Sequence, residues 1–176
     1  MSGHNKWSKI KHKKGAEDAK RSKVFSRLSK LITAESKKAN GDVSSPGLAT
    51  VIESAKKENM PKDTIERAVR KGTDSGTLDM DPVTYEAYGP GGSALIIEAL
   101  TDNKNRAAAE VRHSLSKNGH ELAAPGAASW AFSREGHKWV ANTTVELSES
   151  DIEKLERLID SIEESDDVQE VFTNVA

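Results

Sequence analysis

The 176-residue chain has no cysteine. That excludes disulfides, zinc ribbons and thiol nucleophiles, and it suits a reducing compartment. Aromatic residues make up 5% of the chain and apolar residues 35%, below the usual range, so any core is modest against a large solvated surface. No apolar run approaches the roughly 18 residues that a membrane-spanning helix needs. The N-terminus is basic, but no apolar segment follows it. It does not read as a secretory signal, and the cytoplasm is the expected location. His4, His12, His113, His120 and His137 are scattered, with no HExxH spacing, so no metal site is expected. There is no G-x-S-x-G elbow, and the carboxylates of EESDD (163–167) form an acidic run rather than a placed pair. Neither catalysis nor a cofactor is expected.

What the chain does have is charge, and it is unevenly spread. Residues 1–72 hold 18 Lys+Arg against 8 Asp+Glu, and residues 73–176 hold 8 against 20. The net charge of -2 therefore conceals a basic half and an acidic half. Such asymmetry points to an anionic partner for the basic half, nucleic acid first, or to mutual attraction of the halves within the fold.

The pattern along the chain predicts two folded parts. Residues 1–15 read as a mobile basic arm. A long helix follows over about 16–38, with Val24, Phe25, Leu28, Leu31 and Ile32 on one face. After the turn-rich NGDVSSPG, helices are predicted over 47–58 and in NMPKDTIERAVRKG, with Pro61 in the first turn and Gly72 as the stop. Residues 16–72 thus make a three-helix bundle. TDSGTLDMD reads as a linker over 73–81. Residues 82–176 then read as a small α/β sandwich with a mainly antiparallel sheet and helices on one face, so the fold class is α+β. Its elements are a hairpin of VTYEAY and SALIIEALT around GPGG, a helix ending near Gly119, strand-like ASWAF and HKWVAN, a helix opened by Ser148 and Asp151 in capping-box spacing, and a last strand in DVQEVFTNV.

Two constellations carry candidate chemistry. In the arm, Lys6, Lys9, Lys11, Lys13 and Lys14 are interleaved with Trp7 and His12. In the first helix Lys20, Lys23, Arg27 and Lys30 fall in a stripe roughly 80° wide, beside the apolar face. Clustered cations bind phosphate through counterion release, and a tryptophan among them offers a stacking plate to an unpaired base. The plainer alternative is a solvated basic face with Trp7 folded back on the bundle. A membrane surface is disfavoured, because the apolar face is needed for the bundle. The second constellation is TDNKNRAAAEVRHSL. Lys104 and Arg106 sit in a first turn, where cations are unfavourable, so Asn103, Lys104, Asn105, Arg106 and Arg112 make a secondary anion site, with GPGG able to lie beside it. The alternative is ordinary capping by Asp102 or Asn103.

The blocks GHNKWSKIKHKKGAEDAKRSKVFSRL, NMPKDTIERAVRKG, YEAYGPGG, TDNKNRAAAEVRHSLSKNGH and LIDSIEESDDVQEVFTN, in this order, resemble the YebC/PmpR family. The resemblance implies a helical first domain and two α/β domains, the third inserted into the second. It implies a probable transcriptional regulator that binds DNA, or an RNA- or ribosome-associated translational activator like the family's mitochondrial relatives; bacterial members are also linked to synthesis of proline-rich stretches. Family members are longer, and here SWAFSREG runs through HKWVANTTVELSES straight into the closing helix. The inserted domain is expected to be absent near 136–143. A third reading, a protein-interaction module whose arm docks on an acidic partner, stays open, as does the oligomeric state.

Overall fold

The computed structural model describes residues 17–176. They divide into two compact units, one ending at Met80 and the other running from Asp81 to Ala176.

The first unit holds α1 (Glu17–Lys38), α2 (Pro46–Lys57) and α3 (Lys62–Thr73). Ile32, Leu48, Ala55, Met60, Ile65 and Ala68 form its core, and Phe25, Leu28, Val51, Ile52 and Val69 pack against it. This is the three-helix bundle that the apolar spacing predicts. Gly72 has a different role from the one expected. It lies inside the last turn of α3, and a Cβ there would come within 2.6 Å of Ser36 Cβ and of the Thr33 carbonyl oxygen. Its missing side chain lets α3 close on α1. The contact is polar as well: Thr33 Oγ1 donates to the Ala68 carbonyl at 3.2 Å and Ser36 Oγ to the Val69 carbonyl at 2.6 Å. The segment after α3 returns to α1, where Lys37 Nζ donates to the Thr77 carbonyl and pairs with Asp79 at 3.2 Å.

The second unit is built on a four-stranded sheet of order β3-β1-β2-β6, antiparallel throughout. Its strands are β1 (Asp81–Tyr88), β2 (Ala94–Thr101), β3 (Leu122–Ala123) and β6 (Val168–Thr173). The helices α4 (Lys104–Lys117) and α5 (Glu149–Glu163) lie on one face. There Leu95 and Ile97 of β2 meet Val111 and Leu115 of α4 and Leu155, Leu158, Ile159 and Ile162 of α5. The intervening residues Ala94 and Ile96 point the other way. They are covered by Ala128, Ala131, Phe132 and Trp139, which belong to or lead into a separate hairpin of β4 (Phe132–Glu135) and β5 (Lys138–Ala141). The continuous apolar run of SALIIEALT thus reports burial on both faces. ASWAF is a strand only from Phe132 onward, because Ser129–Ala131 form a 3-10 turn. Ser148 caps α5 as its spacing predicts, accepting from the Asp151 amide at 3.2 Å.

The hairpin is fastened to the sheet through Glu98 of β2. Its carboxylate accepts from Trp139 Nε1 at 2.6 Å and pairs with Arg134 at 3.4 Å, while the Arg134 guanidinium lies 5.1 Å from the centre of the Trp139 ring. Glu135 pairs with Lys138, so Gly136 and His137 alone form the tip, with Gly136 at a φ of 63° that suits glycine in a two-residue turn.

Candidate nucleic-acid interface

Lys6, Trp7, Lys9, Lys11, His12, Lys13 and Lys14 lie outside the described residues. The basic stripe that follows them is on α1. Lys23 is exposed, and Lys20, Arg27 and Lys30 are half-buried. Other cations of this unit join them at its surface. Arg21, Lys57, Arg67, Arg70 and Lys71 are exposed and have no ion pair among the described residues. Lys38, Lys56 and Lys62 pair with carboxylates three or four residues away, at 2.8, 3.7 and 3.7 Å, in exposed geometries that contribute little. The sequence reading missed Arg67, Arg70 and Lys71 because α3 was read for its apolar face alone.

The TDNKNR block is placed differently. Asn103 caps α4, its Oδ1 accepting from the Arg106 amide at 3.0 Å. The Arg106 guanidinium binds Asp102 at 2.7 Å and Asp167 at 3.0 Å through Nη2, and Asp167 again at 3.3 Å through Nε. The hydrogen bonds that it donates to Asp102 and Asp167 hold its pKa above the ordinary arginine value. Lys104 lies 3.7 Å from Asp81, and Asn105 and Arg112 are exposed. The GPGG loop is not a neighbour of this block. It opens β2, whereas α4 follows the far end of that eight-residue strand, about 25 Å away. The loop packs instead at the start of α5, where a Cβ on Gly91 would meet Leu147 and Asp151.

Beside Arg106 an open cleft of about 450 Å³ is lined by Glu110, His113, Ser114, Glu164, Ser165, Asp166 and Asp167. An anion at this helix start would meet four carboxylates. Arg106 holds the buried Asp167, whose side chain is 4% exposed and also 3.0 Å from Thr101 Oγ1. Asp167→Ala is expected to destabilise the unit by about 2–3 kcal/mol in denaturant unfolding, since it strips a buried hydroxyl and a guanidinium of their shared acceptor. Lys104→Ala should change stability by less than about 0.5 kcal/mol.

Sequence comparison brings further findings. Residues 5–75 match the family model described as the TACO1/YebC protein N-terminal domain. Residues 80–137 and 135–175 match the one described as the TACO1/YebC second and third domain. A protein of Desulfosudis oleivorans named probable transcriptional regulatory protein is 49% identical over 177 residues, covering 99% of this chain and 72% of that protein. A relative of the same name from Fervidobacterium nodosum is 39% identical over 237 positions, covering 99% of this chain and 93% of its own. The crystal structure of a conserved hypothetical protein from Aquifex aeolicus superimposes with a TM-score of 0.77 at 29% identity, covering 90% of this chain and 91% of that one.

Proposed function

This chain belongs to the TACO1/YebC family, and from that premise we propose that it is a non-enzymatic regulator of gene expression that binds nucleic acid through its N-terminal half. The contact surface is the arm, with Lys6, Trp7, Lys9, Lys11, His12, Lys13 and Lys14, continued by Lys20, Lys23, Arg27 and Lys30 of α1. The observation that carries the proposal is the segregation of charge. The helical unit presents exposed cations, among them Arg21, Lys23, Arg67, Arg70 and Lys71, whereas residues 81–176 hold 8 Lys+Arg against 18 Asp+Glu. Nucleic acid is attracted to the first and repelled by the second. The names of the relatives, probable transcriptional regulatory proteins, support the regulatory reading.

The described face of α1 favours a second reading for the target. Its exposed positions are Ala19, Arg21, Ser22, Lys23, Ser26 and Lys38, with none of the Asn or Gln side chains that pair with base edges. Such a face positions a protein on phosphate without reading sequence, and with Trp7 preceding it in the sequence, it suits structured RNA with unpaired bases, as in a ribosome-associated translation factor. Titration with a promoter-length duplex DNA and a fragment of large-subunit ribosomal RNA, each competing with the other at several salt concentrations, separates the two. RNA binding that persists at physiological salt while duplex DNA is released places the protein in translation. One DNA sequence preferred over unrelated DNA and RNA by about 10³ or more places it in transcription. Failure to bind either overturns the proposal.

We also propose that the chain lacks the inserted third domain of its longer relatives. In support, the 237-position alignment exceeds the chain's 176 residues, and the two stretches matched to the second and third domains meet at 135–137, the tip of the β4–β5 hairpin. Gly136 and His137 are exposed, and the hairpin is anchored well back from them at Glu98. A folded domain grafted between these two residues is expected to change Tm by less than about 4 °C by calorimetry.

A further inference from the structure

We propose that the groove between α2 and α3 seats an amphipathic helix of a partner protein that carries carboxylates beside its apolar stripe. The groove exists because both helices pack on α1 and scarcely touch each other. Its open volume is about 560 Å³. Ile52, Met60, Ile65 and Val69 line it, and Val43, 57% exposed, stands at its edge. A three-helix unit left open in this way offers the place of a fourth helix, and an amphipathic segment lying there would complete a bundle.

The rim sets the chemistry of the occupant. Lys62, Glu66 and Arg70 are spaced four residues apart along α3, so they share one edge, and Lys56 comes from α2. Lys56 faces Glu53 and Lys62 faces Glu66, each at 3.7 Å in exposed pairs that contribute little, and Arg70 leaves the rim with an excess of positive charge that favours an acidic guest. The lining is wholly aliphatic apart from that charged rim. It provides no aromatic plate to stack a nucleobase and no buried polar atom to read one, so aliphatic side chains are the better match. The chain's own acidic helix cannot serve, in this copy or a second one, because the apolar side of α5 is already buried against its sheet. The groove is thus a surface for another protein, separate from the α1 stripe.

The test uses the full chain as bait for a displayed library of random peptides of helix length. The expected winners carry apolar residues at i, i+3 or i+4, and i+7 with Asp or Glu beside them, and the synthesised winner shifts the methyl resonances of Ile52, Met60, Ile65 and Val69. Val43→Asp, at an exposed position that does not threaten folding, should weaken that peptide about tenfold or more. The double variant Lys62→Glu and Arg70→Glu should lose it, and should regain binding when the peptide's carboxylates are replaced by lysines. Winners without the acidic amphipathic pattern, equal binding by Val43→Asp, or unmoved groove methyls would each overturn the proposal. A single-stranded oligonucleotide that shifts those same methyls would also overturn it, assigning the groove to nucleic acid.

Discussion

Glu86→Ala should cost the α/β unit about 3 kcal/mol, roughly 12–24 °C in Tm for a unit of this size. Glu86 is on β1, 8% exposed, and its partners are backbone amides. Gly126 donates to it at 2.5 Å, Ala128 at 3.0 Å and Ser129 at 2.6 Å. One carboxylate therefore gathers the whole loop that leads into the β4–β5 hairpin. The same loop carries Ala128 and Ala131 into the core on the second face of the sheet, both fully buried. It also holds Trp130, whose Nε1 donates to Tyr88 Oη at 2.7 Å, while Tyr88 donates onward to the Ala127 carbonyl at 2.5 Å. Without Glu86 three amides lose their acceptor at once. Tryptophan fluorescence during denaturant unfolding measures the effect.

The same site predicts a pH dependence. Burial alone would raise the Glu86 pKa, but the three amide hydrogen bonds together outweigh it and hold the pKa below the ordinary glutamate value. A lowered pKa contributes stability that is present above the unfolded value, about 4.3, and is lost as pH falls through the folded value. Glu86→Gln keeps the shape and lacks the charge. The stability gap between wild type and this variant should be constant above about pH 5 and narrow below about pH 4. A gap that does not change with pH would mean that the charge is not what holds the loop.

Glu86 also shows where the sequence stops being legible. In VTYEAY it alternates with Tyr85 and Ala87, which pack toward the helices, so it reads as the solvated side of a strand. Its partners are main-chain amides some forty residues downstream, and a main-chain amide has no signature in sequence. Arg106 was opaque for a related reason. Its position in a first turn is visible, but Asp167, the carboxylate that explains it, is 61 residues away. The three helices of the first unit were readable because each shows its buried face within a dozen residues, and a helix needs only local contacts to declare its period. Gly72 was misread because a glycine near a helix end looks the same whether it stops the helix or lets a neighbour approach. The two-residue β3 carries no periodicity at all, and is defined only by its pairing with Glu86 and Ala87.

Alanine at Lys9, Lys11, Lys13 and Lys14 together should give the largest change in binding. If each lysine neutralises one phosphate of duplex DNA, the slope of log affinity against log salt becomes shallower by roughly 3–4. The wild-type advantage is then greatest in dilute salt and shrinks about 100-fold between 50 and 200 mM, because the lost term is counterion release. The loss should be equal for unrelated sequences, since ammonium groups grip phosphate and do not discriminate base edges. Trp7→Ala should behave in the opposite way. It should leave the salt slope unchanged, spare fully paired duplex, and weaken targets with unpaired bases by about 1–3 kcal/mol per stacked base. The pair of variants thus separates charge from stacking within one ten-residue stretch. If the lysine variant binds as wild type does, the arm is not the contact, and the cations of α1 and α3, from Arg21 and Lys23 to Arg67 and Lys71, become the surface to replace next.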